Sequence, residues 1–136
     1  MGGIIMTQED KELLLKDLCA RLPYGVFCNI GLDYPLPLQS LFVDKLDGIL
    51  LDFYEDGKDY QVYLGEVKPY LFPLSSMSEE VTREFNKTLD WVRTTHGYSE
   101  SEMTWDTFDC VNKYHIDYRG LIEKGLTIDA TGLNIY

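Results

Sequence analysis

Two Asp-Gly pairs, Asp47-Gly48 and Asp56-Gly57, punctuate a stretch rich in β-branched and aromatic residues, and they constrain this chain more than any other feature. Asp and Gly tolerate the positive φ angles of tight primed turns, so each pair predicts a hairpin between antiparallel strands. Four candidate strands follow from the pattern around them: Val26 to Ile30, Leu38 to Val43, Ile49 to Tyr54 and Tyr60 to Leu64. Tyr34-Pro35-Leu36-Pro37 is excluded from a central strand on this reading, because each proline lacks a ladder donor. An antiparallel meander or small SH3-like barrel of about four strands is the expected product of residues 26–67.

Helical patterns flank this region. Thr7 reads as an N-cap whose hydroxyl accepts from the Asp10 N–H, with Glu9, Asp10 and Glu12 at the positive helix end. Leu14, Leu18 and Leu22 recur every four residues with Leu15 and Cys19 beside them. Lys11, Lys16, Asp17 and Arg21 are then expected to face water. Pro23 stops the helix and Tyr24-Gly25 turns the chain. Lys68-Pro69-Tyr70-Leu71-Phe72-Pro73 reads as an extended linker, since a residue before proline is pushed out of the α region. Ser76 or Ser78 then caps a helix beginning at Glu79-Glu80, with Val81, Phe85, Leu89 and Val92 on one stripe. The polar stretch Gly97 to Glu102 is the expected flexible point. Thr104 caps a last helix, in which Trp105, Phe108 and Val111 share a face, ending near His115. Gly120 and Gly125 bracket a short turn between Tyr118 and Leu126. The expected fold is a single α+β domain over residues 1–136: 1–6 loose, 7–22 helix, 26–67 β, 68–78 linker, 79–136 mainly helical.

At 136 residues the chain can bury a real core, and 45% hydrophobic with 26% charged residues is ordinary globular composition. Charge is the outlier. Twelve basic residues against 23 acidic ones give −11, which disfavours direct contact with nucleic acid, where Lys and Arg must neutralise phosphates. Solubility is the simplest use of that acidity. Cys19, Cys28 and Cys110 are odd in number and widely spaced, so no disulfide framework is expected. Met1 to Met6 is too short for a signal segment and has no basic leader, and no stretch reaches the length of a membrane span. A reducing cytoplasm is the expected location, with no membrane partner.

Chemistry-bearing groups are sparse. His96 and His115 form neither an H-x-x-x-H face nor a zinc motif, so no metal and no cofactor are expected. Asp109 and Cys110 with His115 and Asp117 come nearest to a constellation. On a helix, however, Cys110 and His115 would point about 140° apart, against a Cys–His dyad. His115 has a simpler reading at a helix C-terminus, where the imidazole caps the last carbonyls and feels the negative end of the dipole. Asp44, Asp47, Asp52, Glu55, Asp56 and Asp59 make no calcium loop and read as solvated turn residues. Ten tyrosines are the more unusual signal, and Tyr24, Tyr70, Tyr114, Tyr118 and Tyr136 stand beside Pro, Gly, Arg or a chain end. Such aromatics suit either recognition surfaces or the seams between helices and sheet.

Three stretches carry a resemblance: Lys16 to Val26 (KDLCARLPYGV), Val67 to Leu71 (VKPYL) running through Pro73 to Ser75-Ser76-Met77, and Asp117 to Ile122 (DYRGLI) with Gly125-Leu126. Together they resemble a family of short proteins from gut Bacteroidetes and their phages or mobile elements, for which no activity is established. Where Phe72 stands the family often places Arg, and where Cys110 and Tyr114 stand it often places Trp and His. The resemblance implies a shared scaffold and carries over no catalytic residue.

These observations lead to the expectation of a domain that binds another protein, with Lys68, Tyr70, Tyr118 and Arg119 as its contact surface. One alternative is an acidic decoy that occupies a nucleic-acid-binding protein. A second alternative is a small hydrolase or metal-dependent enzyme using His115, Asp117 and Asp109.

Overall fold

The computed structural model describes residues 6–44, 48–88 and 105–136. They form three α-helices, α1 (Gln8–Arg21), α2 (Glu79–Thr88) and α3 (Trp105–Lys113). Seven strands accompany them: β1 (Phe27–Asn29), β2 (Leu36–Asp44), β3 (Gly48–Glu55), β4 (Lys58–Tyr63), β5 (Lys68–Pro73), β6 (Ile116–Asp117) and β7 (Ile128–Asp129). Single 3-10 turns lie at Leu22–Tyr24, Leu64–Glu66 and Leu74–Ser76. The mixed α and β character and the N-terminal helix are as expected. The counts are not, since seven strands replace about four and three 3-10 turns join the helices.

Local signals hold where they rest on backbone chemistry. Thr7 Oγ1 accepts from the Asp10 N–H at 3.0 Å and starts α1. Asp56 and Gly57 take φ of 47° and 84° and close the two-residue turn between β3 and β4. The other pair falls partly outside the described residues at Asp47, as do Leu89, Val92, His96, the stretch from Gly97 to Glu102 and Thr104.

The strand order is β4-β3-β2-β1-β5-β6, with β7 also on β5, and β4 and β6 are unpaired with one another. The sheet is therefore open among the described residues, not a small closed barrel. Four pairings are antiparallel and two, β5 with β6 and β5 with β7, are parallel. The expected linker is the hub of this sheet. Pre-proline geometry does hold residues 68–73 extended, but extension here means strand β5, which pairs with three others. Phe72 donates its N–H to His115 O at 2.8 Å, while Leu71 O accepts from the Ala130 N–H at 2.9 Å. Neighbouring residues thus bond to opposite sides of β5, as an extended backbone requires.

Pro37 also departs from expectation, because it lies within β2 opposite Phe27. Leu38 N–H reaches Val26 O at 2.9 Å, so by alternation the donor that Pro37 lacks would point away from β1. The β2–β3 ladder begins only at Leu38↔Phe53, so among the described residues no strand pairs with Pro37 on that side.

The largest correction concerns α1. Asp17 and Arg21 are both 0% exposed and share the inward face with Leu14 and Leu18, whereas Cys19 is exposed. Arg21 Nε donates to Asp17 Oδ2 at 2.8 Å, and its Nη2 reaches Ile116 O at 2.6 Å. Burial of this charge is possible because a carboxylate and main-chain carbonyls replace the water it loses.

Two apolar clusters form the interior. Leu14 and Leu18 of α1 pack with Val26, Leu38, Leu51, Phe53, Leu71 and Leu121. Phe85, Cys110, Val111, Ile116 and Tyr118 form the second, beneath α2 and α3. Arg21 ties them together, since it leaves a helix of the first and bonds to the backbone of the second.

Candidate functional site

Three of the four residues read as a contact surface lie in the interior. Tyr118 is 8% exposed, with Arg21 and Arg119 over its ring at 5.3 and 4.5 Å from the centroid. Arg119 Nη1 meets Asp17 Oδ1 at 2.7 Å, with its side chain 4% exposed. Tyr70 is buried and its hydroxyl accepts from Asn29 Nδ2 at 3.1 Å. These side chains hold the fold together, because an aromatic face and a buried carboxylate are what a partly desolvated guanidinium needs. They are corrected accordingly from contact residues to interior residues, and Lys68 stands apart from them at the rim of a cleft.

That cleft, of about 420 Å³, opens between α1, the β1–β2 connection and the turn before β5. Leu14, Ile30, Val67 and Leu126 make its wall apolar, and Asn29, Glu66 and Lys68 are the polar side chains among its described lining residues. Asn29 is already occupied on both ends, donating to Tyr70 Oη and accepting the Gly31 N–H at 2.9 Å. Glu66 and Lys68 are the ionisable side chains of this lining.

The groups read as a possible catalytic set are each engaged elsewhere. The Asp109 carboxylate accepts from Tyr24 Oη, which raises the tyrosine pKa, the hydrogen bond being the main cause. The Asp117 carboxylate accepts the N–H groups of Leu121 and Ile122 at 3.0 and 2.9 Å and so organises the turn that Gly120 and Gly125 bracket. Burial pushes the Cys110 thiol up to about 11, with Glu84 adding to the effect, so no thiolate is ready at neutral pH. Among the described residues, no three His, Cys, Asp or Glu side chains are grouped to hold a metal ion.

The His115 imidazole is turned from the last helical carbonyls to Tyr136, and its Nδ1 makes no hydrogen bond among the described residues. His115 follows α3 in the left-handed region, at φ 59°, and its ring stacks on Tyr136 at 3.5 Å and 13°. Burial, helped by the nearby Arg21 charge, lowers its pKa to about 4, so the imidazole is neutral near pH 7. Tyr136 in turn donates its hydroxyl to Tyr70 O at 2.7 Å and accepts the Phe27 N–H at 3.0 Å. The last residue is therefore locked onto β1 and β5.

A pH dependence follows from the depressed pKa. The unfolded chain binds a proton at His115 near pH 6.5 while the fold resists it until about 4, so stability falls as pH drops through that window. The loss attributable to this ring is about 1–2 kcal/mol, after discounting for its partial hydration. His115→Asn tolerates the left-handed backbone and does not titrate. Its urea midpoint is expected to decline less than that of the wild type between about pH 6.5 and 4. Parallel curves for the two proteins would contradict the assignment.

The exposed surface with the most recognisable character is the outer face of the β2–β3–β4 hairpins. Register places Phe42, Leu50 and Tyr63 in one cross-strand row, Ser40, Asp52 and Gln61 in the next, and Tyr54 beside Asp59. Ser40 Oγ donates to Asp52 Oδ2 at 2.9 Å within this lattice. Leu51 and Phe53 point the other way, into the core. Phe42, Tyr54 and Tyr63 remain 39, 51 and 46% exposed.

Among the described residues the rim of that face is an unpaired strand edge, since β4 ends the strand order. The two-residue turn makes Glu55↔Lys58 a hydrogen-bonded pair. By alternation, the main-chain groups of Asp59, Gln61 and Tyr63 then point away from β3, toward the open side. No family model, curated protein or solved structure matches this chain. No described helix is long and apolar enough to cross a membrane.

The aromatics beside Pro, Gly, Arg or a chain end do not include this row. A signal was present: β3 and β4 carry Leu50, Tyr54 and Tyr63 at the alternate positions where a solvated face would be polar.

Proposed function

We propose that this chain is a protein-binding module that receives its partner on the outer face of the β2–β4 hairpins. The observation that carries this reading is the row Phe42–Leu50–Tyr63 on a paired sheet, exposed at Phe42 and Tyr63 and half-buried at Leu50, with exposed Tyr54 on the same face beyond the row Ser40–Asp52–Gln61. Rigid aromatics lose little conformational entropy when covered, and tyrosine in particular gives apolar area with a polar tip. The groups that bond-making would use, Asp109, Cys110, His115 and Asp117, are engaged in holding the fold.

Site-specific photo-cross-linking in the native cell tests this. A benzophenone side chain is placed at position 54 or 63, and at exposed Glu123 as a control away from the hairpins. A discrete adduct is expected from positions 54 and 63 and none from 123. Equal labelling at all three, or none at any, would reject the reading.

A further inference from the structure

We infer that β4 takes up an extended, cationic segment of its partner as an added strand, a proposal that rests on the hairpin face being the binding surface. Strand addition needs main-chain groups that point outward from an unprotected edge. β4 supplies them at Asp59, Gln61 and Tyr63, over an unbroken register from Glu55↔Lys58 to Leu50↔Tyr63. Natural edges are usually blunted by proline, by bulges or by charges turned inward. β4 has no proline, and its inward residues beyond Lys58 are Tyr60 and Val62. Among the described residues, β3 is the strand paired with it.

Charge decides the occupant. The outer side chains along the edge are Asp59, Gln61 and Tyr63, with Asp52 directly behind Gln61. The chain as a whole carries −11. A second copy would bring another −11 to this rim, whereas a basic segment is drawn to it. Residues of an added strand on the outer face meet Asp59, Gln61 and Tyr63 in turn. The matching pattern is a Lys or Arg at alternate positions of the segment, its charge beside Asp59 and its aliphatic stem and cationic head against the Tyr63 ring.

The test uses the whole ¹⁵N-labelled chain and an alternating Lys-Val peptide of about ten residues, enough to span the edge. Amide shifts and slowed hydrogen exchange are expected at Asp59, Gln61 and Tyr63. Gln61→Pro removes an outward N–H without touching the ladder to β3, and is expected to weaken binding about tenfold or more. Should that variant disturb the fold, a peptide N-methylated at alternate residues reads the same loss on the wild type. Four outcomes overturn the proposal: no binding of the Lys-Val peptide, equal binding of a Glu-Val peptide, shifts confined to other elements, or self-association of the chain through β4. Survival of the cross-links at positions 54 and 63 after such an outcome leaves the binding face standing without strand addition. Their absence removes both.

Discussion

Asp17→Asn is expected to lower the free energy of unfolding by about 3–5 kcal/mol in urea titrations near neutral pH. Asn has nearly the shape of Asp, so the substitution opens no cavity and the loss is electrostatic. Asp17 is the shared counter-ion of Arg21 at 2.8 Å and Arg119 at 2.7 Å, and neither Asp17 nor Arg21 has any exposure. Once the carboxylate is gone, Arg21 keeps Ile116 O and Val111 O, dipoles that do not neutralise a full charge. An uncompensated buried guanidinium costs far more than an exposed ion pair contributes. Adding Arg21→Met to Asp17→Asn removes the most deeply buried of the orphaned charges and is expected to recover part of the loss. A decrease below about 1 kcal/mol for Asp17→Asn would show that the triad does not hold α1 to the corner between α3 and β6.

Leu71→Ala is expected to cost about 2–5 kcal/mol, with an unchanged dependence on urea concentration. Leu71 is 0% exposed at the middle of β5, where its side chain meets the larger apolar cluster and its carbonyl accepts the Ala130 N–H. Truncation leaves a void that strands paired on both edges cannot close by shifting. Val43→Ala on β2, at a residue 69% exposed, serves as the comparison and is expected to change stability by less than about 0.5 kcal/mol. Similar small effects at both positions would mean that β5 is a passive connection, as its prolines alone suggest.

The contrast between these two strands marks how far the sequence could be read. The residues of β1 to β4 were legible because their evidence is local: alternation, β-branching and the Asp56-Gly57 turn. β5 was read correctly as extended and wrongly as unpaired. Its partners at Cys28, Ile116 and Ile128 lie tens of residues away, and two-residue strands such as β6 and β7 leave no periodic trace. The leucines of α1 draw its helical stripe, yet residue type alone places Asp17 and Arg21 in water. Their i, i+4 spacing on the same face as Leu14 and Leu18 was the available sign of an internal ion pair. Tyr118 and Arg119 do form a cluster, but one turned inward upon Asp17.

By itself the amino-acid sequence determined where turns, caps and extended segments fall, because φ preferences, missing donors and side-chain period act within a few residues. It also determined the −11 charge on which the proposal of a basic partner rests. Only the tertiary structure decided which polar groups are buried, that β5 joins three strands, and which row of aromatics stays open to solvent. Those outcomes depend on which distant backbone and counter-ion replaces the water around each group, and that replacement exists only when the chain has closed on itself.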